Sequence, residues 1–252
     1  MRREDISVAT DDGACPTLVV RPDGDGPWTP VILFMDAGGV CSTRGVRPAM
    51  VEMAERLAGT GHVAVVPEMY HRHGDYEPFD MARAFADEDE RGRLMGMIGS
   101  VTPETLAVDL DGVLAALDAM PDVDATRIGT TGYCMGGRLS LLAAADHPDR
   151  VVGAASFHGG GIGADAPGSP LHRVADIAGR VYVAAAENDP TFPEEQAEAL
   201  EAALSAAGVD HRMETYPARH GFAVPDSPSF DADAAERHWR ALAELFGATL
   251  SD

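Results

Sequence analysis

The sequence predicts an α/β protein, a mostly parallel sheet with helices on both faces, and three observations predict it. Short apolar, β-rich runs alternate with longer amphipathic patterns from about Val31 to the C-terminus. The patterns between strands have the length of a helical crossover, which joins parallel neighbours. No linker, repeat or low-complexity tract interrupts the alternation, so residues 1–252 read as one domain. At this length one core buries about 70–75% of the extended-chain surface without a metal or disulfide staple.

The opening residues, around Ile6 to Ala9 and Thr17 to Val20, read as an antiparallel hairpin at a sheet edge, with turn signals at Asp12-Gly13 and Asp23-Gly24. Val31 to Met35 is a buried strand followed by the loop Ala37-Gly38-Gly39. Arg47 to Ala58 carries Met50, Met53, Ala54 and Leu57 at helical spacing, and His62 to Pro67 is the next strand. Thr102 opens a helix with Pro103 in its first turn and Leu106, Leu110, Val113, Leu114 and Leu117 along one face. Strands follow at Arg127–Cys134, Val151–Phe157, Gly179–Ala186 and His211–Tyr216. Helices are expected at Gly136–Asp146, at Pro193–Ala207 (stopped by Gly208) and at Asp231–Thr249. Two segments break the pattern, the acidic Tyr70–Ser100 and the Gly-rich Gly159–Arg173; both read as connections after strands, where open α/β proteins place binding loops.

Charge excludes several functions. The chain has 19 basic and 41 acidic residues, a formal net charge of −22, which repels phosphate backbones and anionic lipid. Neither nucleic acid nor membrane is expected as a partner. Every basic residue is arginine, so Schiff-base, P-loop and kinase lysines are absent. The three cysteines, Cys15, Cys41 and Cys134, are too few and too scattered for a disulfide framework or a four-ligand zinc site, and neither metal nor cofactor is expected. His71-Arg72-His73 lacks a third ligand nearby and reads as loop surface. The Gly159–Gly163 run has no helix behind it to receive a pyrophosphate. Met1-Arg2-Arg3-Glu4-Asp5 leads into acidic residues rather than an apolar leader, and no apolar run approaches membrane-span length; a cytoplasmic protein is expected, a monomer or weak homodimer.

The chemistry lies in Arg127-Ile-Gly-Thr-Thr-Gly-Tyr-Cys-Met-Gly-Gly-Arg138. An apolar strand runs into Gly132-x-Cys134-x-Gly136-Gly137 and on into a helix, the nucleophile-elbow pattern with cysteine at its centre. The turn strains the central residue and demands glycine beside it, and it sets the sulfur at a helix N-terminus, which favours thiolate. A base and an orienting acid must follow in chain order on later strand-end loops. Asp189, in Glu187-Asn-Asp189-Pro190, is the leading acid, with Glu187 its rival. His220, in Pro217-Ala-Arg-His220-Gly221, alone of the nine histidines sits where the base belongs.

With these residues the chain resembles the dienelactone hydrolase family of the α/β-hydrolase fold, over nearly its whole length from Val31 to the final helix. The resemblance implies a Cys134–His220–Asp189 triad acting on an ester or lactone carbonyl of a small molecule, through a thioester acyl-enzyme. It also implies an oxyanion hole made by the N–H groups of Met135 and Ala37. Asp36 takes the place of the glutamate that in this family modulates the resting thiol; it serves either that role or loop capping. His158, in Phe157-His158-Gly159-Gly160, either lines the pocket or bonds within its turn. The family's substrate-carboxylate arginine after the catalytic histidine is missing, since the chain reads Gly221-Phe-Ala-Val224 there. Arg72, Arg83 and Arg138 lie near the expected pocket mouth, with nothing in the sequence to aim them inward. A thiolate is a better leaving group than an ordinary alkoxide, so an activated ester, enol lactone or thioester is the expected substrate. A general carboxylesterase or thioesterase, or a catalytically silent ligand-binding protein, are the alternatives.

Overall fold

Continuous apolar runs become buried central strands, and amphipathic runs become helices lying on them. In the computed structural model, which describes residues 1–81, 83–84 and 86–251, the chain divides into two compact units, Met1–Thr126 and Arg127–Asp252. Ala82 and Phe85 of the Tyr70–Ser100 segment, and Asp252, lie outside the described residues.

The first unit opens with β1 (Arg2–Thr10) and β2 (Gly13–Arg21), an antiparallel hairpin whose register pairs Thr10 with Gly13. The turn is therefore Asp11-Asp12, with Gly13 beginning the second strand. β1 runs longer than its apolar centre suggests because Arg2, Arg3, Glu4 and Asp5 continue the ladder, and charged side chains suit an edge strand. β3 (Pro30–Phe34) is wholly buried. The loop after it folds into a small hairpin, β4 (Cys41–Ser42) and β5 (Gly45–Val46), too short to show a period. α1 (Pro48–Ala58) starts on its proline and buries Met50, Met53, Ala54 and Leu57, the face its spacing marked. β6 (Val63–Pro67) pairs parallel with β3 and antiparallel with β2, giving the order β1-β2-β6-β3.

The acidic segment holds an unexpected helix, α2 (Glu88–Ser100). Asp87 caps it by accepting the N–H groups of Asp89 and Glu90, both at 3.1 Å, and the following acids face the positive end of the helix dipole. Gly92, Gly96 and Gly99 dilute its pattern, and only Leu94 and Met97 are buried, so the sequence shows no period there. α3 (Pro103–Asp118) begins as expected, after Thr102.

The second unit alternates strands and helices except between β8 and β9, which two short 3-10 turns join: β7 (Ile128–Tyr133), α4 (Met135–Asp146), β8 (Val151–Phe157), β9 (Arg180–Ala186), α5 (Glu194–Ala207), β10 (His211–Tyr216) and α6 (Ala232–Thr249). Its strands are all parallel, in the order β7-β8-β9-β10. The pleat sends alternate residues to opposite faces. Ala154, Val181 and Val183 pack with Leu141 and Ala144 of α4 and Leu200 and Leu204 of α5. Phe157 turns the other way, to His238 of α6, at 4.7 Å between ring centres. Helices thus cover both faces, and the strand ends at Tyr133, Phe157, Ala186 and Tyr216 carry the loops of interest.

The start of α3 gives a local stability test. The Thr102 hydroxyl accepts the Thr105 N–H at 3.3 Å while the Thr105 hydroxyl accepts the Thr102 N–H at 2.9 Å, so each satisfies a donor that the helix leaves open. Thr102→Ala is expected to lower the unfolding free energy by about 1 kcal/mol in urea titration.

Candidate active site

Cys134 joins β7 to α4 with φ 54° and ψ −116°, a backbone geometry that side chains normally avoid. The turn is so tight that a Cβ on Gly132 would lie 2.0 Å from the Gly136 carbonyl oxygen, which makes glycine obligatory there. The Cys134 N–H is shared between the Phe157 carbonyl at 3.1 Å and His158 Nδ1 at 3.2 Å. Its side chain, half-buried at the head of α4, forms a hydrogen bond with His220.

His220 follows β10 and Asp189 follows β9, so adjacent parallel strands bring their loops together. His220 Nδ1 lies 2.6 Å from Asp189 Oδ2, leaving Nε2 as the ring nitrogen for the thiol. The other carboxylate oxygen accepts both the N–H and the hydroxyl of Thr191, at 2.8 and 2.7 Å. Thr191 is a member of the site that sequence reasoning missed; the signal was Asp189-Pro190-Thr191, in which an aspartate side chain bonds two residues on. Glu187, the rival acid, has an exposed side chain, and its N–H bonds the carbonyls of Tyr216 and Ala218.

Charges follow from these contacts. Burial opposes the His220 imidazolium, but the hydrogen bonds and charges of Asp189 and Cys134 outweigh it and raise His220 to about 10. Burial likewise opposes the Asp189 carboxylate, yet His220 and Thr191 hold it below its ordinary value. The pair is thus an imidazolium clamped by a carboxylate. Burial pushes the thiols of Cys15 and Cys41 up to about 12, which keeps both protonated and unreactive.

His158 follows β8, is fully buried and has φ 40°. Its Nδ1 accepts the Cys134 N–H, and its ring meets those of His220 at 5.0 Å and Phe222 at 4.9 Å between centres. Cys134, Asp189, His220 and His158 therefore come together within the second unit, with Met135 as the first residue of α4.

Asp36 and Ala37 belong to the first unit. Asp36 pairs with Arg47 through both carboxylate oxygens and also accepts the Gly38 N–H at 2.9 Å, so it does cap the loop. Arg47, expected only as the start of a helix, is the partner that the sequence did not reveal. The buried Ala37 has its carbonyl bonded by the Tyr70 hydroxyl at 3.2 Å.

Arg72 is committed to Asp12 and Asp109, and Arg83 is exposed. After His220, Phe222 and Val224 are fully buried, so this segment serves packing. His71 is not loop surface: its side chain is buried against Asp109 at 2.8 Å. A cleft of about 770 Å³ borders Asp189 and His220, with Glu187, Arg219, Phe230 and Asp231 also on its walls. Among the described residues no helix is long and apolar enough to cross a membrane.

Residues 15–250 match the family model of the dienelactone hydrolase family. The chain belongs to this family. A provisionally named carboxymethylenebutenolidase of Escherichia coli (strain K12) is 30% identical over 245 residues, covering 95% of this chain and 84% of that one. The carboxymethylenebutenolidase of Rhodococcus opacus is 27% identical over 209 residues, covering 80% of this chain and 76% of its own. Among solved structures, a provisionally named dienelactone hydrolase of Klebsiella pneumoniae subsp. pneumoniae MGH 78578 superposes with a TM-score of 0.81 at 26% identity, covering 98% of each chain. The fold is that of the α/β hydrolases, and the protein is a hydrolase of the dienelactone hydrolase type.

Two tests follow for this dienelactone hydrolase family member. In Gly132→Ala the new methyl meets backbone that cannot yield, so esterase activity is expected to fall at least about 100-fold with a lowered thermal midpoint; wild-type activity would contradict the turn geometry. The folded value of His220 lies above its ordinary 6.5, so its stabilising contribution is complete below that pH and is lost as pH rises through about 10. In denaturant titrations, the stability advantage of wild type over His220→Ala is expected to shrink between those two pH values.

Proposed function

We propose that the protein hydrolyses an activated ester or lactone of a small molecule through Cys134, His220 and Asp189. The observation that carries this reading is the strained Cys134 at the head of α4, hydrogen-bonded to a histidine that a buried aspartate holds at 2.6 Å.

In this reading the Cys134 thiolate attacks the substrate carbonyl carbon, and the carbonyl π electrons move onto oxygen. The Met135 N–H, with the Ala37 N–H that the family resemblance implies, stabilises the oxyanion. Collapse of the tetrahedral adduct breaks the carbon–oxygen bond to the leaving group, and His220 donates its proton to the departing oxygen. The product of this half is a thioester on Cys134 and a neutral His220. A water molecule then gives a proton to His220 as its oxygen attacks the thioester. Cys134 leaves as thiolate beside the restored imidazolium, and the acid is released. Asp189 stays ionised throughout, keeping the ring oriented with Nε2 toward the reacting atoms.

The leaving group decides the rate. The first adduct can expel either thiolate or alkoxide, and thiolate is favoured over an ordinary alkoxide, so simple alkyl esters mostly return to substrate. Aryl esters, enol esters, enol lactones and thioesters go forward. The net charge of −22 supports a small-molecule partner and a role away from nucleic acid and anionic membrane.

The test is 4-nitrophenol release from a short-chain aryl ester, with wild type and Cys134→Ala side by side. Wild-type turnover that drops by at least about 1,000-fold in the variant is expected, with ethyl acetate cleaved far more slowly than the aryl ester. Equal activity in the two proteins moves the nucleophile elsewhere, and no turnover by either, on esters or on an enol-lactone panel, favours a ligand-binding protein without catalysis.

A further inference from the structure

We infer that His158 is a positioning residue of the reaction: it holds the backbone of the nucleophile turn by accepting the Cys134 N–H through Nδ1. This inference rests on the Cys134–His220–Asp189 reading above.

The tautomer follows from the hydrogen bond. Nδ1 accepts a hydrogen bond from the Cys134 N–H at 3.2 Å, so the single ring proton of a neutral His158 resides on Nε2. Protonating Nδ1 would set two donors against each other and break the contact. The surroundings prevent this. The side chain is fully buried, and burial, with the nearby charges of His220 and His238, holds His158 well below its ordinary value. Asp189 is the one carboxylate among these neighbours; it favours the charged form and is outweighed.

His238 braces the residue before the turn. Its Nδ1–H donates to the Ala235 carbonyl at 2.7 Å, and its Nε2 bonds the Tyr133 hydroxyl at 2.9 Å. Tyr133 immediately precedes Cys134 and stacks on Phe157, which immediately precedes His158. Two imidazoles therefore brace consecutive residues of the strand-to-helix turn. Only His158 also reaches the base, with its ring at 5.0 Å from that of His220, in T-shaped contact. A side chain that touches both the amide of the nucleophile and the ring of the base sets the relation between them.

The backbone at His158 supports a functional reason for the residue. Its φ of 40° is unfavourable for a side chain with a Cβ, and glycine or asparagine would occupy it at lower cost. The strained conformation directs the ring under the Cys134 amide. Nε2 meanwhile is buried and has no hydrogen-bond partner among the described residues, a second cost that serves no packing need an apolar ring could not meet.

The experiment compares wild type with His158→Phe and His158→Asn. Phenylalanine keeps the ring and loses the acceptor; asparagine carries an acceptor oxygen close to the place of Nδ1 and tolerates positive φ. For the aryl ester, His158→Phe is expected to lower kcat about 10- to 100-fold with KM changed less than about 3-fold. The pH midpoint for alkylation of Cys134 by iodoacetamide, read by peptide mass mapping, is expected to rise as the thiol loses its alignment with His220. His158→Asn is expected to restore kcat to within about 3-fold of wild type, together with the midpoint. Should the phenylalanine variant fail to fold by circular dichroism, His158→Gly, free of strain and of the acceptor, takes its place with the same expectation.

A folded variant without the acceptor that keeps wild-type kcat and alkylation midpoint overturns the inference, as does an asparagine variant that is folded yet as impaired as the others. These outcomes are distinct from failure of the triad reading, which shows itself as activity persisting in Cys134→Ala.

Discussion

The strand-to-helix turn at Cys134 is the constraint on which the site depends. A side chain at φ 54° stores strain of order 1–3 kcal/mol, and it persists only because its surroundings leave no alternative. Gly132 lets the chain pass within contact of the Gly136 carbonyl, and the Cys134 N–H is held from the neighbouring strand by Phe157 and His158. The sulfur consequently projects at the end of the sheet at a helix N-terminus, where negative charge is favoured.

The other strained residues share this placement. Among the described residues, the non-glycine positions with positive φ are Cys134, His158 and Asn188, each within two residues of the end of β7, β8 or β9. Parallel pairing aligns these ends, so three consecutive loops carry strain toward one edge, and the loop after β10 adds His220. Strain collected at one edge of an otherwise regular sheet marks where positioning has been favoured over stability.

Electrostatics then sort the titratable groups by environment. Cys15 and Cys41 lie in surroundings that raise their thiols to about 12. His220, gripped by Asp189, is held charged, whereas His158, 5.0 Å from it and fully buried, is held neutral. Residues of one type thus take different roles because of differences in burial and partners. In the first unit, the buried Glu68 accepts the N–H groups of Val40 and Tyr70 at 2.7 and 2.8 Å and the Tyr76 hydroxyl at 3.0 Å, so it braces the loop after β3 in the same manner.

What the sequence determined by itself was the periodic part of the molecule and which side chains stand at its strand ends. The apolar run Val151–Phe157 became a strand with the expected limits because burial on both faces admits little else, and His211–Tyr216 did so at the sheet edge, where only Tyr216 is buried. The Gly-x-Cys-x-Gly turn, and the chain order that singled out Asp189 and His220, were legible because steric necessity and topology restrict what can stand there. Tertiary structure alone decided the contacts. α2 was hidden by three glycines and stands on an acidic cap. Arg47 claims Asp36 from eleven residues away, and His71 turns inward to Asp109 across thirty-eight. Thr191 seats Asp189, and His158 reaches under Cys134 from the adjacent strand. A hydrogen bond between residues distant in sequence leaves no periodic trace, because its geometry exists only after the strands have paired.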